Sequence, residues 1–512
     1  MPIIRIFLLI IAIATSLQAA KQPNILFIMT DQHHARMLSS AGNPYLKTRA
    51  LDSMAKSGIR FSRAYVTNPV CVPSRCSFMT GWYTHVRGHR AMEYGLESGE
   101  PMLLQNMMRS GYHVWWAGRT HDIHSNNDVN DYCSEYYPLR NADGLKPTWS
   151  ISRRGRSWAI DGSEAWRGDP ETSDQYYSFY VGEIDTKGEP YYFDGDWAVV
   201  EAAIDKIKTF DSDQPFCLYL PLTYPHPPYA VEEPWYSAID RAAIPDRVRP
   251  PSDWSLVPSH LKGIHDRNRM ASWTEDRWRE LRAVYYAMCA RVDHQLGKVI
   301  EALQETGLYD DTAVVAFSDH GDFTGDYNLL EKVQNTFQDC LTRVPLLVKP
   351  PRGITLQPRV SDALVELIDV PATVEDWCGI EPGHRHFGRS LSGLLAEEQP
   401  HRDAVFSEGG RLEGDDHCVQ QGAIDEGPEG MYWPRGSGHL NIPEHTKAIM
   451  CRTHDHKYVR RLYETDELYD LRSDPHEVNN RIHDPEMSGV LADLKDRLLS
   501  HYLETSDVVP RI

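Results

Sequence analysis

The residues with most scope for chemistry fall in a few short stretches. Cys71 stands in Asn68-Pro69-Val70-Cys71-Val72-Pro73-Ser74-Arg75, between two prolines that hold the backbone extended. The run 74–79 predicts a helix, and Gly81 suits its end, so Cys71 lies just before a helix N-terminus. Free N–H groups and the helix dipole favour negative charge there. This is a cysteine placed where an anion is welcome. A buried structural thiol in a proline-rich turn is the more ordinary fate of a lone cysteine.

Polar residues also follow four apolar runs. These endings are Thr30-Asp31-Gln32, Gly118-Arg119-Thr120-His121, Pro225-His226-Pro227 and Ser318-Asp319-His320-Gly321-Asp322. In an open α/β sheet, ligands bind outside the carboxyl ends of the strands. One polar ending is ordinary; four that carry acids, histidines and an arginine argue for a site. Asp31 and Asp319 are hard oxygen donors, Gln32 offers an amide oxygen and His320 an imidazole nitrogen, a set suited to a divalent cation. Taken singly, Asp31 reads as a helix cap and the 319–322 stretch as a polar turn. Arg75 falls four residues after Cys71 and, on a helix, faces it.

The elements that must position these groups alternate. Asn24-Ile25-Leu26-Phe27-Ile28-Met29 is a near-continuous apolar run, the mark of a strand buried on both faces. A helix is expected over 48–57, a strand over 60–65, a helix over 101–109 and a strand over 113–117. Asp194 and Asp196 cap a helix reaching about 209, and Phe216-Cys217-Leu218-Tyr219-Leu220 is a strand. Thr274 caps a long helix through 305, with Leu281, Val284, Tyr285, Met288 and Val292 on one stripe. Strands follow at 312–317 and 345–348. Residues 126–192 are polar, Gly-rich and rich in Tyr and Trp, and read as insertions over the site; 408–446 has a similar character.

This alternation predicts an α/β fold, a large mainly parallel doubly wound sheet flanked by helices. From about residue 380 short strands (404–407, 448–451, 458–463) precede a terminal helix over 486–502. That is a smaller C-terminal α+β subdomain with a short antiparallel sheet. The expected division is a signal peptide at 1–20, a catalytic domain at 21–380 and the subdomain at 381–512.

With 41% hydrophobic and 25% charged residues, the 512-residue chain is of ordinary globular composition. A formal charge of -20 argues against a nucleic-acid partner, which wants a basic face, but leaves room for a basic pocket inside an acidic envelope. Arg5, the apolar run 6–14 and the small-residue exit Ala19-Ala20 make a signal peptide too short to span a membrane, so export to the periplasm or beyond is expected. The nine cysteines show no metal-binding spacing. Pairings among them are open, with Cys76, Cys217 and Cys289 reading as buried thiols.

Cys71-Val72-Pro73-Ser74-Arg75, followed by Met79-Thr80-Gly81, resembles the signature of the formylglycine-dependent sulfatases of the alkaline-phosphatase-like superfamily. The resemblance extends over most of the chain from about residue 24, and Glu467-Leu468-Tyr469-Asp470-Leu471 resembles the family's tail segment. It implies that a maturase oxidises Cys71 to formylglycine, whose hydrate is the nucleophile. It carries Asp31, Gln32, Asp319 and His320, with the modified Cys71, onto the metal-ligand positions. Lys332 corresponds to a sulfate-contacting lysine, Arg119 and His121 to the Gly-Lys-x-His motif with arginine in place of lysine, and His226 to the histidine near the leaving group.

The implied reaction is in-line attack on sulfur by the hydrate, oriented by the metal and Arg75. His226, with Lys332, then protonates the leaving oxygen, and His121 expels sulfate by taking a proton from the second hydroxyl. Many relatives carry Asp and Asn where this chain has Gln32 and His320; Asp-Gln with Asp-His resembles the choline-sulfatase and phosphonate-monoesterase branches. Calcium is implied, with manganese the alternative. The substrate expected is a sulfated carbohydrate, since export and 13 Trp with 26 Tyr suit a glycan. The rivals are a phosphonate monoester or phosphodiester hydrolase and a non-catalytic protein that binds sulfated glycans. Phosphatase or phosphomutase chemistry would want Ser or Thr in place of Cys71.

Overall fold

Fourteen strands are formed among the described residues. In chain order they are β1 (Asn24–Thr30), β2 (Ile59–Tyr65), β3 (His113–Ala117), β4 (Glu135–Tyr137), β5 (Tyr180–Ile184), β6 (Phe216–Pro221) and β7 (Tyr229–Glu232). They continue as β8 (Thr312–Ser318), β9 (Arg343–Lys349), β10 (Arg359–Glu366), β11 (Val405–Gly409), β12 (Ala448–Arg452), β13 (His456–Arg461) and β14 (Glu467–Asp470). The structure, a computed structural model, describes residues 22–118, 123, 129–137, 164–440 and 443–508. The expected signal peptide, and Arg119 and His121, lie outside the described residues.

All seven residues of β1 are buried, and they divide by alternation. Leu26 and Ile28 enter one core, with Met54 of the helix Arg49–Ser57, Val200 of Gly195–Thr209 and Leu281 of Glu275–Glu305. Ile25, Phe27 and Met29 enter the other, with Phe78 of Cys71–Thr80, Met107 of Leu103–Arg109 and Val374 of Asp369–Cys378. Three helices on each face make the sheet doubly wound, and a strand covered on both sides has to be apolar throughout. The long helix begins where Thr274 accepts a hydrogen bond from the Arg277 N–H.

The eight-stranded sheet runs β10-β2-β9-β8-β1-β6-β3-β4. The four strands whose polar endings stand out in the sequence, β8, β1, β6 and β3, are contiguous and mutually parallel, so their carboxyl ends open on one edge. β9 departs from the parallel pattern: it is antiparallel to both β8 and β2. Its Pro345 sits where the β2 register shifts, at a bulge, the place in a sheet that tolerates a residue without an N–H.

The insertion 126–192 is not loop throughout. β4 adds to the edge of the large sheet beside β3, and β5 pairs with β7 in a separate two-stranded parallel ribbon. Both are short and mixed in polarity, so they carry no alternation to read. β11 to β14 form an antiparallel four-stranded sheet, covered by the terminal helix Ser488–Thr505 through Leu494 and Leu498 against Ile449, Tyr458 and Leu468. All nine cysteines are buried free thiols. No helix among the described residues is long and apolar enough to cross a membrane.

Candidate active site

The helix that carries the motif starts at Cys71 itself, not after Pro73. Val70 is its extended N-cap, and Pro73 falls in the first turn, where an N–H has no intrahelical partner to lose. Gly81 closes it in the left-handed region at φ 69°. All ten residues are buried. Arg75, one turn on from Cys71, places Nη2 2.8 Å from Asp31 Oδ2 and Nε 2.9 Å from Asp319 Oδ2. One guanidinium thus joins the ends of β1 and β8 to the helix. Ser74 Oγ adds a 2.6 Å hydrogen bond to the Asp319 carbonyl.

Cys71 Sγ lies 3.0 Å from His320 Nε2 and 3.5 Å from Asp31 Oδ1. Burial, then the neighbouring Asp31 carboxylate, pushes the Cys71 thiol well up, so the sulfur is a neutral thiol, and thiols react as thiolates. His320 Nδ1 is 2.9 Å from the Gly321 carbonyl, which fixes its proton there and leaves the Nε2 lone pair facing Cys71. Burial also lowers the His320 pKa, against the pull of Asp319, keeping the ring neutral. Gly321 is required by close approach: a Cβ there would sit 1.9 Å from the Cys340 carbonyl oxygen.

Asp31, Cys71, Asp319 and His320 offer ligand atoms that all lie within 4.8 Å of one another, the one such group among the described residues. Two carboxylates and an imidazole with a bare nitrogen fit a hard or borderline divalent cation, and the buried Arg75 shows how much positive charge the carboxylates demand. Gln32 sits in the same space at φ 72°. Its amide nitrogen donates to Asp322 Oδ2 at 2.6 Å, its amide oxygen accepts from Lys332 Nζ at 3.0 Å, and its backbone N–H donates to Asp319 Oδ1 at 3.1 Å.

Facing this cluster, Lys332 Nζ donates to His226 Nε2 at 2.8 Å and to Glu331 Oε1 at 2.6 Å. Burial works against its charge, but the carboxylates of Glu331 and, behind it, Asp31 hold Lys332 protonated. His226 Nδ1 is 2.5 Å from the Pro227 carbonyl, which fixes its proton on that side. The loop carrying His226 hangs from Asp196, whose carboxylate accepts the N–H groups of Thr223 and Tyr224 at 2.7 and 2.8 Å. Asp196 is therefore buried inside its helix and serves the neighbouring loop, while Asp194 alone caps the helix.

Eight of the ten predicted site residues are thus gathered at one edge: Asp31, Gln32, Cys71, Arg75, His226, Asp319, His320 and Lys332. The sequence reading assigned no role to Asp322, Glu331, Tyr432 or Arg435. Asp322, pushed up to about 6 by burial, holds Gln32 and accepts from the Tyr229 hydroxyl at 2.9 Å. Glu331 Oε2 meets Arg435 Nη1 at 2.5 Å, and the Arg435 guanidinium lies 4.2 Å over the Tyr432 ring. Tyr177, Phe179, Lys332, Tyr432 and Arg435 share the wall of one small pocket. Glu331 could have been flagged as the neighbour of Lys332; Arg435, a hundred residues further on, carried no local signal.

Comparison with known proteins identifies the family. The sulfatase family model matches residues 23–380. Arylsulfatase K of Danio rerio is 28% identical over 419 residues, covering 76% of this chain and 71% of that protein. Among solved structures, the phosphonate monoester hydrolase of Agrobacterium radiobacter superposes with a TM-score of 0.72 at 21% identity, covering 96% of this chain and 100% of that one. BT1596, a 2-O GAG sulfatase, gives 0.68 at 22% identity, covering 95% and 93%. With a family model spanning the strands, helix and cluster just described, this chain belongs to the sulfatase family and is a sulfuric ester hydrolase.

Proposed function

We propose that the protein hydrolyses a sulfate ester of a carbohydrate, through Cys71 converted to formylglycine by a maturase and a divalent metal, calcium in first place and manganese in second, at Asp31, Gln32, Asp319 and His320. The observation that carries this reading is the state of Cys71. Its sulfur faces the metal-ready cluster, yet burial and Asp31 keep it a neutral thiol, a poor nucleophile at the focus of a well-furnished site. Once modified, the residue would supply a nucleophilic hydrate oxygen, and the cation would neutralise charge gathering beside it.

The chain's own residues have the remaining work. Arg75 orients residue 71, being locked to both carboxylates. Lys332 offers a buried ammonium to the ester oxygens. In the ground state His226 Nε2 accepts from Lys332, so Lys332 stays charged and orients the ring, and His226, once protonated, is the acid that meets the leaving alcohol. Arg119 adds positive charge and His121 takes the proton that releases sulfate. Tyr177, Phe179 and Tyr432 offer aromatic faces to a sugar, and the stretches that carry them, 126–192 and 408–446, select it. The segment 1–20 directs export to the periplasm or beyond.

Mass spectrometry of the Cys71 peptide, on protein co-expressed with a formylglycine-generating enzyme, tests the core of this. Conversion lowers the residue mass by about 18 Da, and the converted fraction should track turnover of 4-nitrophenyl sulfate and then of sulfated sugars. A persistent thiol in protein that still turns over would end the formylglycine mechanism.

The pairing of Gln32 with His320 favours a second reading, a phosphonate monoester or phosphodiester hydrolase. Relative kcat/KM on matched aryl sulfate and aryl phosphonate separates the two. A sulfate preference of less than about tenfold, or 1.4 kcal/mol, would move the phosphonate reading to the front.

A further inference from the structure

Lys332 is paired with a carboxylate that works against its task. Glu331 Oε1 lies 2.6 Å from the Lys332 ammonium, and Glu331 Oε2 takes the Lys332 backbone N–H at 2.9 Å. Lysine 1% exposed and glutamate 3% exposed in such contact amount to a neutral pair, which has little attraction for an anionic ester. The second oxygen of Glu331 is taken up elsewhere. Arg435 Nη1 reaches it at 2.5 Å, its Nε is held by Gln420 Oε1 at 3.2 Å, and its flat face rests on Tyr432. Glu331 is fixed from a third direction by the Tyr229 hydroxyl, which accepts its N–H at 2.9 Å, and its backbone sits at φ 63° in the left-handed region. A backbone held so uncommonly, for a side chain that would by itself cancel the site's cation, calls for a reason.

We propose that Arg435 is a charge-compensating positioning residue: by neutralising Glu331 it lets that carboxylate aim Lys332 at His226 while Lys332 keeps its net positive charge for the sulfate group. The triad Arg435–Glu331–Lys332 has a net charge of +1, as one lysine would, but with its ammonium aimed. Glu331 supplies direction and Arg435 restores the charge that direction would otherwise remove. Arg435 belongs to the short helix Trp433–Gly436, and the cation that makes Lys332 effective is thus delivered by a segment distant in sequence from every motif residue. The inference rests on the reading of Lys332 as a sulfate contact.

The test uses matured, metal-loaded enzyme, with 4-nitrophenyl sulfate as substrate and inorganic sulfate as competing ligand. Arg435→Gln should weaken inhibition by sulfate about tenfold, the cost of one uncompensated buried charge-assisted contact, and raise KM more than it lowers kcat. Glu331→Gln in the same chain should restore sulfate affinity to within about threefold of wild type, because the two charges cancel. Arg435→Lys, which keeps the charge and folds more readily, should stay within the same range. Lys332→Met is measured alongside. If it leaves sulfate inhibition unchanged, Lys332 is not a sulfate contact and the functional reading fails. If Lys332→Met weakens sulfate while Arg435→Gln does not, or if the double variant is no better than Arg435→Gln alone, the compensation proposal is overturned. The last outcome would make Arg435 itself a contact to substrate.

Discussion

The two walls of the site are built in different ways. The wall that carries Cys71 is made of sheet ends and one helix: β1 gives Asp31, β8 leads into Asp319 and His320, and Arg75 ties both to the helix N-terminus. Each of these residues follows directly from a buried strand or lies within a buried helix, so backbone packing places it. The opposite wall is assembled from loops. His226, Glu331 with Lys332, and Arg435 with Tyr432 come from three segments held together mostly by ion pairs and hydrogen bonds between side chains. The first wall couples chemistry to folding; the second can be retuned without disturbing the sheet.

Variants should respect the division. Cys71→Ala, co-expressed with the same maturase, should cut turnover by roughly 10⁴-fold or more, as expected for loss of a nucleophile, with the melting temperature nearly unchanged; assays on aryl sulfate alongside thermal melts check both. Arg75→Met should fail on both counts. It leaves Asp31 and Asp319 buried without their cation, which costs about 3–5 kcal/mol, read by urea unfolding in the presence of chelator, and added divalent metal should return part of that stability. Lys332→Met should lower kcat/KM about 10²–10³-fold yet cost less stability than Arg75→Met, because Arg435 still pairs the buried Glu331. If Lys332→Met unfolds as readily as Arg75→Met, the contrast between the walls is wrong.

The smallest effect concerns the join between the motif helix and the second sheet. His85, just after that helix, pairs with Glu408 of β11 at 2.8 Å. Burial opposes both charges, but each partner outweighs it: His85 is held above its ordinary value, and Glu408 is held well below its own by His85 and Arg90. The Glu408 share of stability is present above the unfolded glutamate pKa near 4.3 and is lost as pH falls further. The His85 share is present below the unfolded histidine pKa near 6.5 and is lost as pH rises through its raised folded value. Glu408→Gln should therefore lower stability most between about pH 4.3 and 6.5, by roughly 1.5–3 kcal/mol, and flatten the profile on either side of that window, while leaving aryl sulfate KM in place. Urea titrations across pH measure it.

What could be read from the sequence follows the same line. β1, β3, β6 and β8 were legible because a strand buried on both faces must be apolar without interruption, and their endings were legible because the site lies where those runs stop. The motif helix starts three residues earlier than the pattern predicts, since proline breaks a helix interior but is welcome in the first turn, and only the path of the chain before Cys71 decides which applies. β4, β5, β7, β10 and β14 escaped because edge and ribbon strands are short or carry mixed faces. Arg435 escaped for a related reason. An arginine among many has meaning only once Glu331 is beside it.

The depth of the cations has a kinetic consequence. Arg75, Lys332 and Arg435 are each less than a tenth exposed, inside a chain of formal charge -20. A sulfated ligand approaching from solution therefore meets the acidic exterior first and feels the attractive charges only after entering the cleft. Encounter should be slowed, not steered, by the long-range field, and added salt, which screens over about 10 Å at 0.1 M, should raise the association rate before it weakens the contacts within.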